Sequence, residues 1–463
     1  MKSFKEYTHE VSGLKFIFEH LTFCSPLGRR KLLNQHFITD HILLQRELDL
    51  LEQVVIFINK GENQTAVKGI TQVLQQSRDI HQTLLNVKYN RVLDDVELFE
   101  IKKFALLSQQ ITELLNSASL RILLFQDLTD VVDLLDPEQN RLPHFYIYSS
   151  YDPELEKWRK KAASTEDKAV AEQCRWESLQ IEDRIRERLS GDLHAHAAVL
   201  QWNLDQMATL DLLLAKANQA ITYNLTKPVI ATETTVYQSL FNPAVQSALV
   251  MSNKQYQPID IRLDIRPCLI TGANMSGKTV LLKTIALSQY MFQFSFYLPA
   301  KQAAVLPVEE VLLSVGDNHS EMNGLSSFAA EILTIDHIIR RAKQGKRLLV
   351  LVDELARTTN PEEGKALVNA FIEIISKYEL QSLVTTHYSG ITAPARRLRM
   401  RGLSLQDAQE KITPANINNY MDYTLMETTE DDIPMEAIKI AEIFGVDEEL
   451  LRMARKGEKG RGV

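Results

Sequence analysis

Cysteine is scarce: Cys24, Cys174 and Cys268 are the only three in 463 residues. Three cysteines far apart make neither a disulfide framework nor a metal motif, so reduced, mostly buried thiols are expected. No stretch of 18 or more residues is apolar and uncharged throughout, which argues against a helical membrane span. The opening segment Met1–Glu10 lacks the apolar run of a signal peptide. A cytoplasmic location is the expectation. The formal net charge is −8, which argues against a general nucleic-acid coat but leaves room for a local basic face.

The chain is too long for one ordinary core, and its apolar fraction of 45% is enough to bury two or three. Its character changes near residue 228. Before that point strand signals are few, and amphipathic helical patterns dominate, as in Asp40–Glu52. Asp152-Pro153 reads as an N-cap followed by proline at the first helical position. A helix from there to about Ala163 would turn at Ser164–Asp167 and pair with a long helix over about Glu177–Ala220, forming an antiparallel hairpin. Ile181, Ile185, Leu189 and Leu193 mark the shared face of that longer helix. After residue 228, continuous apolar runs at 267–271, 311–315, 348–352 and 382–386 alternate with helical segments, as buried parallel strands do. The expected fold class is therefore α plus α/β, with residues 1–227 all-helical. Residues 228–430 would form an α/β domain with a mainly parallel sheet, and residues 431–463 a helical element and tail.

The octet Gly272-Ala273-Asn274-Met275-Ser276-Gly277-Lys278-Thr279 follows a strand pattern and precedes a helical one. Glycines there let the backbone wrap tightly and aim N–H groups at phosphates. Lys278 would reach the β- and γ-phosphates of ATP, and the Thr279 hydroxyl would hold Mg²⁺. A chance match of this kind is expected in about one or two of every hundred chains of this length, before strand and helix are demanded around it. Some 75 residues later, the apolar run Leu348–Val352 ends in Asp353-Glu354. An acid at the end of a neighbouring strand reaches the metal through Asp353, while Glu354 can polarise the attacking water. His387 ends the next run. Alone it is a polar strand cap; beside a nucleotide it would contact the γ-phosphate or the water.

Taken together, these motifs resemble those of the MutS family of ABC-type ATPases. Thr271–Thr279 is similar to the family's TGPNMGGKS, Tyr297–Ala300 to its FVPA segment and Val315–Asn318 to IGA(S/A)D. Ser326–Glu331 looks like STFxxE, Asp353–Thr359 like DELGRGT and Thr385–Tyr388 like ATHY. Phe241–Val245 stands where the family has RHPVV. Ile433–Arg455 resembles its dimerisation element, and Thr22–Arg30 with the Asp40–Glu52 helix resembles the start of its lever and core region. The resemblance implies a homodimer that binds and hydrolyses ATP with Mg²⁺. Ser326 would be presented to the γ-phosphate in the partner subunit, and Tyr256 would stack on adenine. Ser326 and Ser327 also read as an ordinary helix N-cap. Ala356 and Thr358 replace two glycines of the family pattern, and Leu325 replaces an arginine.

The resemblance leaves two functions open. In the first, nucleotide state controls binding to double-stranded DNA, without mismatch recognition. No mismatch-reading, connector or Smr-type segment is expected, because the lever pattern starts within the first thirty residues and nothing follows residue 463. The basic clusters Arg396-Arg397-Arg399-Arg401 and Lys456-Lys459-Arg461 are candidate phosphate contacts, although clusters of this size are more often solvated faces. In the second, the chain resembles reactivase subunits of cobalamin-dependent lysine aminomutases and acts on a protein client.

Overall fold

The computed structural model describes residues 2–118, 120, 122–272, 276–315, 327–357, 359–403, 412–413, 417–429 and 437–459. From Phe4 to Thr222 the described elements are helices. None is long and apolar enough to cross a membrane. Asp152 caps the helix Pro153–Ser164 by accepting from Glu154 N–H at 2.8 Å, with Pro153 at its first turn. Asp167 caps the returning helix Lys168–His194 in the same way. An Arg159–Glu182 ion pair of 2.8 Å joins the two helices.

The returning helix does not continue to Ala220. It ends at His194, and a second helix runs Ala197–Thr222. Its last turn tightens, with Ala195 N–H bonding Asp192 O and His196 N–H bonding Leu193 O. His194 Nδ1 also lies 3.0 Å from Val87 O. The two segments serve different partners. The first packs against its hairpin neighbour, and the second packs against helices Pro26–Asn34 and His41–Asn59. Apolar periodicity ran on through the junction, so the sequence pattern did not reveal the break.

Beyond residue 228 the described residues form ten strands: β1 Val229–Ile230, β2 Thr235–Leu240, β3 Ile259–Leu263, β4 Cys268–Thr271, β5 Gln302–Val305, β6 Glu310–Ser314, β7 Leu348–Val352, β8 Gln381–Thr385, β9 Arg396–Leu403 and β10 Met421–Glu427. Six form one sheet in the order β10-β9-β4-β8-β7-β6. All neighbours in it run parallel except the edge strand β10. The other four form a separate sheet, β1-β5-β2-β3, whose pairings are antiparallel apart from β1-β5. That smaller sheet was not anticipated, because its strands are short or half-exposed.

Alternation along the six-stranded sheet separates two cores. Cys268, Ile270, Leu349, Leu351, Leu383 and Met400 share a buried cluster with the helix Lys278–Gln293 and with the helical half of the chain. Leu269, Val350, Val352 and Val384 pack on the opposite face, against helices Ser327–Ala342 and Pro361–Ile375. The helix Lys278–Gln293 is therefore clasped between sheet and helical half. At its far end the buried Gln293 donates to Ile38 O at 2.9 Å and to Val308 O at 2.7 Å.

Candidate nucleotide-binding and hydrolysis site

Parallel strands carry the residues after them to one edge, and here β4, β7 and β8 deliver three sets of polar groups together. The chain leaves β4 at Thr271, turns through Gly272 and enters the helix at Lys278, with Gly277 as N-cap. Gly277 has φ +85°, and a Cβ there would lie 3.0 Å from Cδ1 of Tyr423. Glycine meets both demands at once. Lys278 Nζ donates to Gly272 O at 2.8 Å and lies 3.6 Å from Glu354 Oε1. Burial pushes its pKa down, opposed chiefly by the charge of Glu354.

Asp353 follows β7, and its carboxylate is held from two sides. Thr279 Oγ1 donates to Oδ2 and Thr385 Oγ1 donates to Oδ1, each at 2.6 Å. Thr385 also accepts from Glu354 N–H at 2.9 Å. One hydroxyl at the end of β8 thus orients both acids. The register explains it: Val352 pairs with Val384, so Asp353 and Thr385 leave their strands at the same height. Glu354 has φ +47°, and its carboxylate sits between Lys278 and Arg357, the latter at 3.5 Å. His387 is half-buried and stacks beside Tyr388 with ring centroids 4.2 Å apart. Burial lowers its pKa against the pull of Glu354, which favours the neutral imidazole near pH 7.

The structure therefore gathers Lys278, Thr279, Asp353, Glu354 and His387. Tyr256 lies at the margin, where its hydroxyl faces the main chain of Asn242 and the Thr284 side chain of the Lys278–Gln293 helix. Ala273, Asn274, Met275 and Ser326 lie outside the described residues, as does Thr358. Tyr423, whose ring covers Gly277, was missed by sequence reasoning. It belongs to no motif, and only the antiparallel edge strand brings it to the loop. Gln257 fixes it there by accepting from Tyr423 N–H at 3.0 Å.

The residues present fit a phosphate-bearing ligand. Ser276 is 1% exposed, yet its hydroxyl has no hydrogen-bond partner among the described residues. A buried hydroxyl in this position can serve a bound phosphate as donor or acceptor. Thr279 and Asp353 offer a hydroxyl and a carboxylate oxygen, the hard donors that Mg²⁺ prefers. Bound there, Mg²⁺ would supply positive charge to neutralise phosphate oxygens. The arginine cluster at 396–401 is less available than its sequence suggested. Arg396 pairs with Glu427 at 2.7 Å and Arg401 with Asp422 at 3.2 Å.

Residues 268–459 match the family model described as MutS domain V. Over these residues the chain is similar to the MutS family. Among curated relatives, Endonuclease MutS2 of Agathobacter rectalis is 34% identical over 210 residues, covering 45% of this chain and 26% of the relative. Endonuclease MutS2 of Staphylococcus carnosus is 34% identical over 219 residues, covering 47% and 27%. Endonuclease MutS2 of Caldicellulosiruptor bescii is 31% identical over 210 residues, covering 44% and 26%. The match spans about a quarter of the length of these relatives. The matched residues are those of the α/β half, so the expected α plus α/β architecture holds, with the second sheet added.

Proposed function

We propose that this MutS-type chain binds and hydrolyses Mg²⁺-ATP as a homodimer, and that its nucleotide state controls binding to duplex DNA without reading mismatches. The observation that carries the ATPase reading is that Lys278 meets Glu354 and Thr279 meets Asp353 where β4 and β7 end, next to the buried Ser276, whose hydroxyl has no partner among the described residues. In this reading Lys278 exchanges the Gly272 carbonyl for the β- and γ-phosphates, and the main chain of residues 272–279 cradles them. Glu354 polarises the attacking water, and a neutral His387 contacts that water or the γ-phosphate. Thr279 and Asp353 hold Mg²⁺. Tyr256 is assigned to adenine, and Ser326 to the γ-phosphate bound in the partner subunit. Exposed apolar side chains near the C-terminus, Phe444, Leu450 and Met453, support self-association there.

DNA as the partner rests on relatives named as endonucleases. A protein client is the second reading, favoured by the net charge of −8 and by the carboxylates that neutralise Arg396 and Arg401. Lys278→Ala should abolish binding of labelled ATP, because it removes the fixed positive charge facing the phosphates. Unchanged affinity would move the site elsewhere. Filter binding of duplex DNA at low salt, with and without ATP, separates the partners. Nucleotide-dependent retention that weakens steeply with salt supports DNA, and no retention in either state supports the protein client.

A further inference from the structure

Two residues of the turn after β7 have left-handed backbones, Glu354 at φ +47° and Ala356 at φ +62°. Neither is glycine, and such conformations persist only where the surroundings over-determine them. Ala356 is fully buried, and both of its main-chain groups are held from outside the turn. Glu331, on the helix Ser327–Ala342, accepts its N–H at 2.9 Å. Tyr388, just past β8, donates its hydroxyl to the Ala356 carbonyl at 2.6 Å. Space for that hydroxyl depends on Gly364, where a Cβ would lie 2.3 Å from it. Within the turn, Arg357 N–H bonds Glu354 O at 3.2 Å, and Thr359 N–H bonds Ala356 O at the same distance. The backbone that aims Glu354 is thus continuous with the one that Glu331 pins.

We propose that Glu331 is a positioning residue that makes the orientation of Glu354 depend on where the helix Ser327–Ala342 sits. The inference rests on the ATPase reading and adds to it a mechanical link. With the helix in place, Ala356 is held left-handed and Glu354 stays beside Lys278. When the helix withdraws, Ala356 N–H loses its acceptor and the turn relaxes toward ordinary φ, carrying Glu354 away. Burial raises the pKa of Glu331, opposed by the Ala356 N–H and by Arg357, as fits an acceptor held in a partly dry contact. Glu331 touches neither water nor phosphate in this scheme; it acts through the main chain.

The test uses the full chain and four variants: Glu331→Ala, Glu331→Gln, Tyr388→Phe and the double variant Glu331→Ala/Ala356→Gly. Steady-state hydrolysis gives kcat and KM, a fluorescent ATP analogue gives binding, and thermal unfolding reports the fold. Glu331→Ala is expected to lower kcat at least about tenfold while analogue affinity stays within about twofold. Glu331→Gln keeps an oxygen to accept the N–H, so its kcat should stay within about threefold of wild type. Glycine takes φ +62° without strain, so the double variant should recover part of the lost kcat. Tyr388→Phe removes the second bond while preserving ring shape and should lower kcat selectively, which carries the test if Glu331→Ala fails to fold. Active wild type with unchanged kcat in Glu331→Ala overturns the inference and leaves the ATPase reading standing. So does a loss that glutamine fails to rescue. Wild type that binds and turns over no ATP overturns the ATPase reading itself, and this link with it.

Discussion

Lys216, on the last helix of the helical half, donates from Nζ to the carbonyl of Phe294, which ends the helix that starts at Lys278, at 2.6 Å. It also donates to Ser295 Oγ at 2.9 Å and lies 4.4 Å from the centre of the Phe296 ring. One amine therefore binds the helical half to the far end of the helix that begins at Lys278.

Burial pushes Lys216 down from 10.5 to about 7, opposed by the charge of Glu47 and reinforced by that of Lys31. Above about pH 7 the folded protein loses this proton while the unfolded chain keeps it up to the ordinary lysine value. Stability should then rise with pH across that window, by up to about 1.4 kcal/mol per unit from this group, and stay level below it. Urea unfolding of wild type and Lys216→Met over about pH 6 to 9.5 isolates the effect. Wild type should gain on the variant above pH 7; parallel curves would show that Lys216 stays protonated in the fold.

Asp211 is the second buried tie, since its carboxylate caps the helix Pro26–Asn34. It accepts from Cys24 N–H at 2.8 Å, Ser25 N–H at 3.0 Å, Ser25 Oγ at 2.7 Å and Gly28 N–H at 3.1 Å. Asp211→Ala should cost at least about 3 kcal/mol, because several buried donors lose their acceptor together. Gly28→Ala should cost about 1–3 kcal/mol by overpacking, since its Cβ would sit 2.7 Å from Asp211 Oδ2. Denaturant titration measures both, and a neutral Gly28→Ala would mean that the two helices separate freely.

Glu354→Gln should still bind ATP but hydrolyse it at least about a hundredfold more slowly, the lower end of what loss of a general base costs. The bond from Glu354 N–H to Thr385 uses the main chain and survives the change. A variant with wild-type single-turnover rate would place the base on another residue.

Action of Ser326 across a dimer can be read by complementation. Lys278→Ala and Ser326→Ala subunits, each nearly inactive alone, should regain part of the activity when mixed, since one composite site in the heterodimer is intact. Heterodimers that form and stay inactive would assign Ser326 to its own subunit.

Much of this was legible in the chain itself. Apolar runs gave β4, β6, β7 and β8 within a residue, because a strand buried on both faces must be apolar throughout. The octet 272–279 and the Asp353-Glu354 pair stood out by residue type and spacing, and the structure brings Lys278 to Glu354 and Thr279 to Asp353. The cap at Asp152 was legible because a capping bond is local, here spanning only two residues. The break after His194 was hidden, as both flanking segments are good helices and only their separate packing partners part them.

What the tertiary structure decided are the relationships that depend on strand order. Thr385 bridges Asp353 and Glu354 because β8 lies beside β7, and nothing in either segment alone announces it. Tyr423 reaches Gly277 because β10 closes the edge of the sheet. Ala356 can be left-handed where a glycine was expected because Glu331 and Tyr388 hold it from two other elements. Sequence determined which chemistry the chain carries, since that lives in residue type and short spacing. Long-range packing decided which groups hold the turn that carries Glu354, since their bonds span 25 and 32 residues and form only when the sheet does.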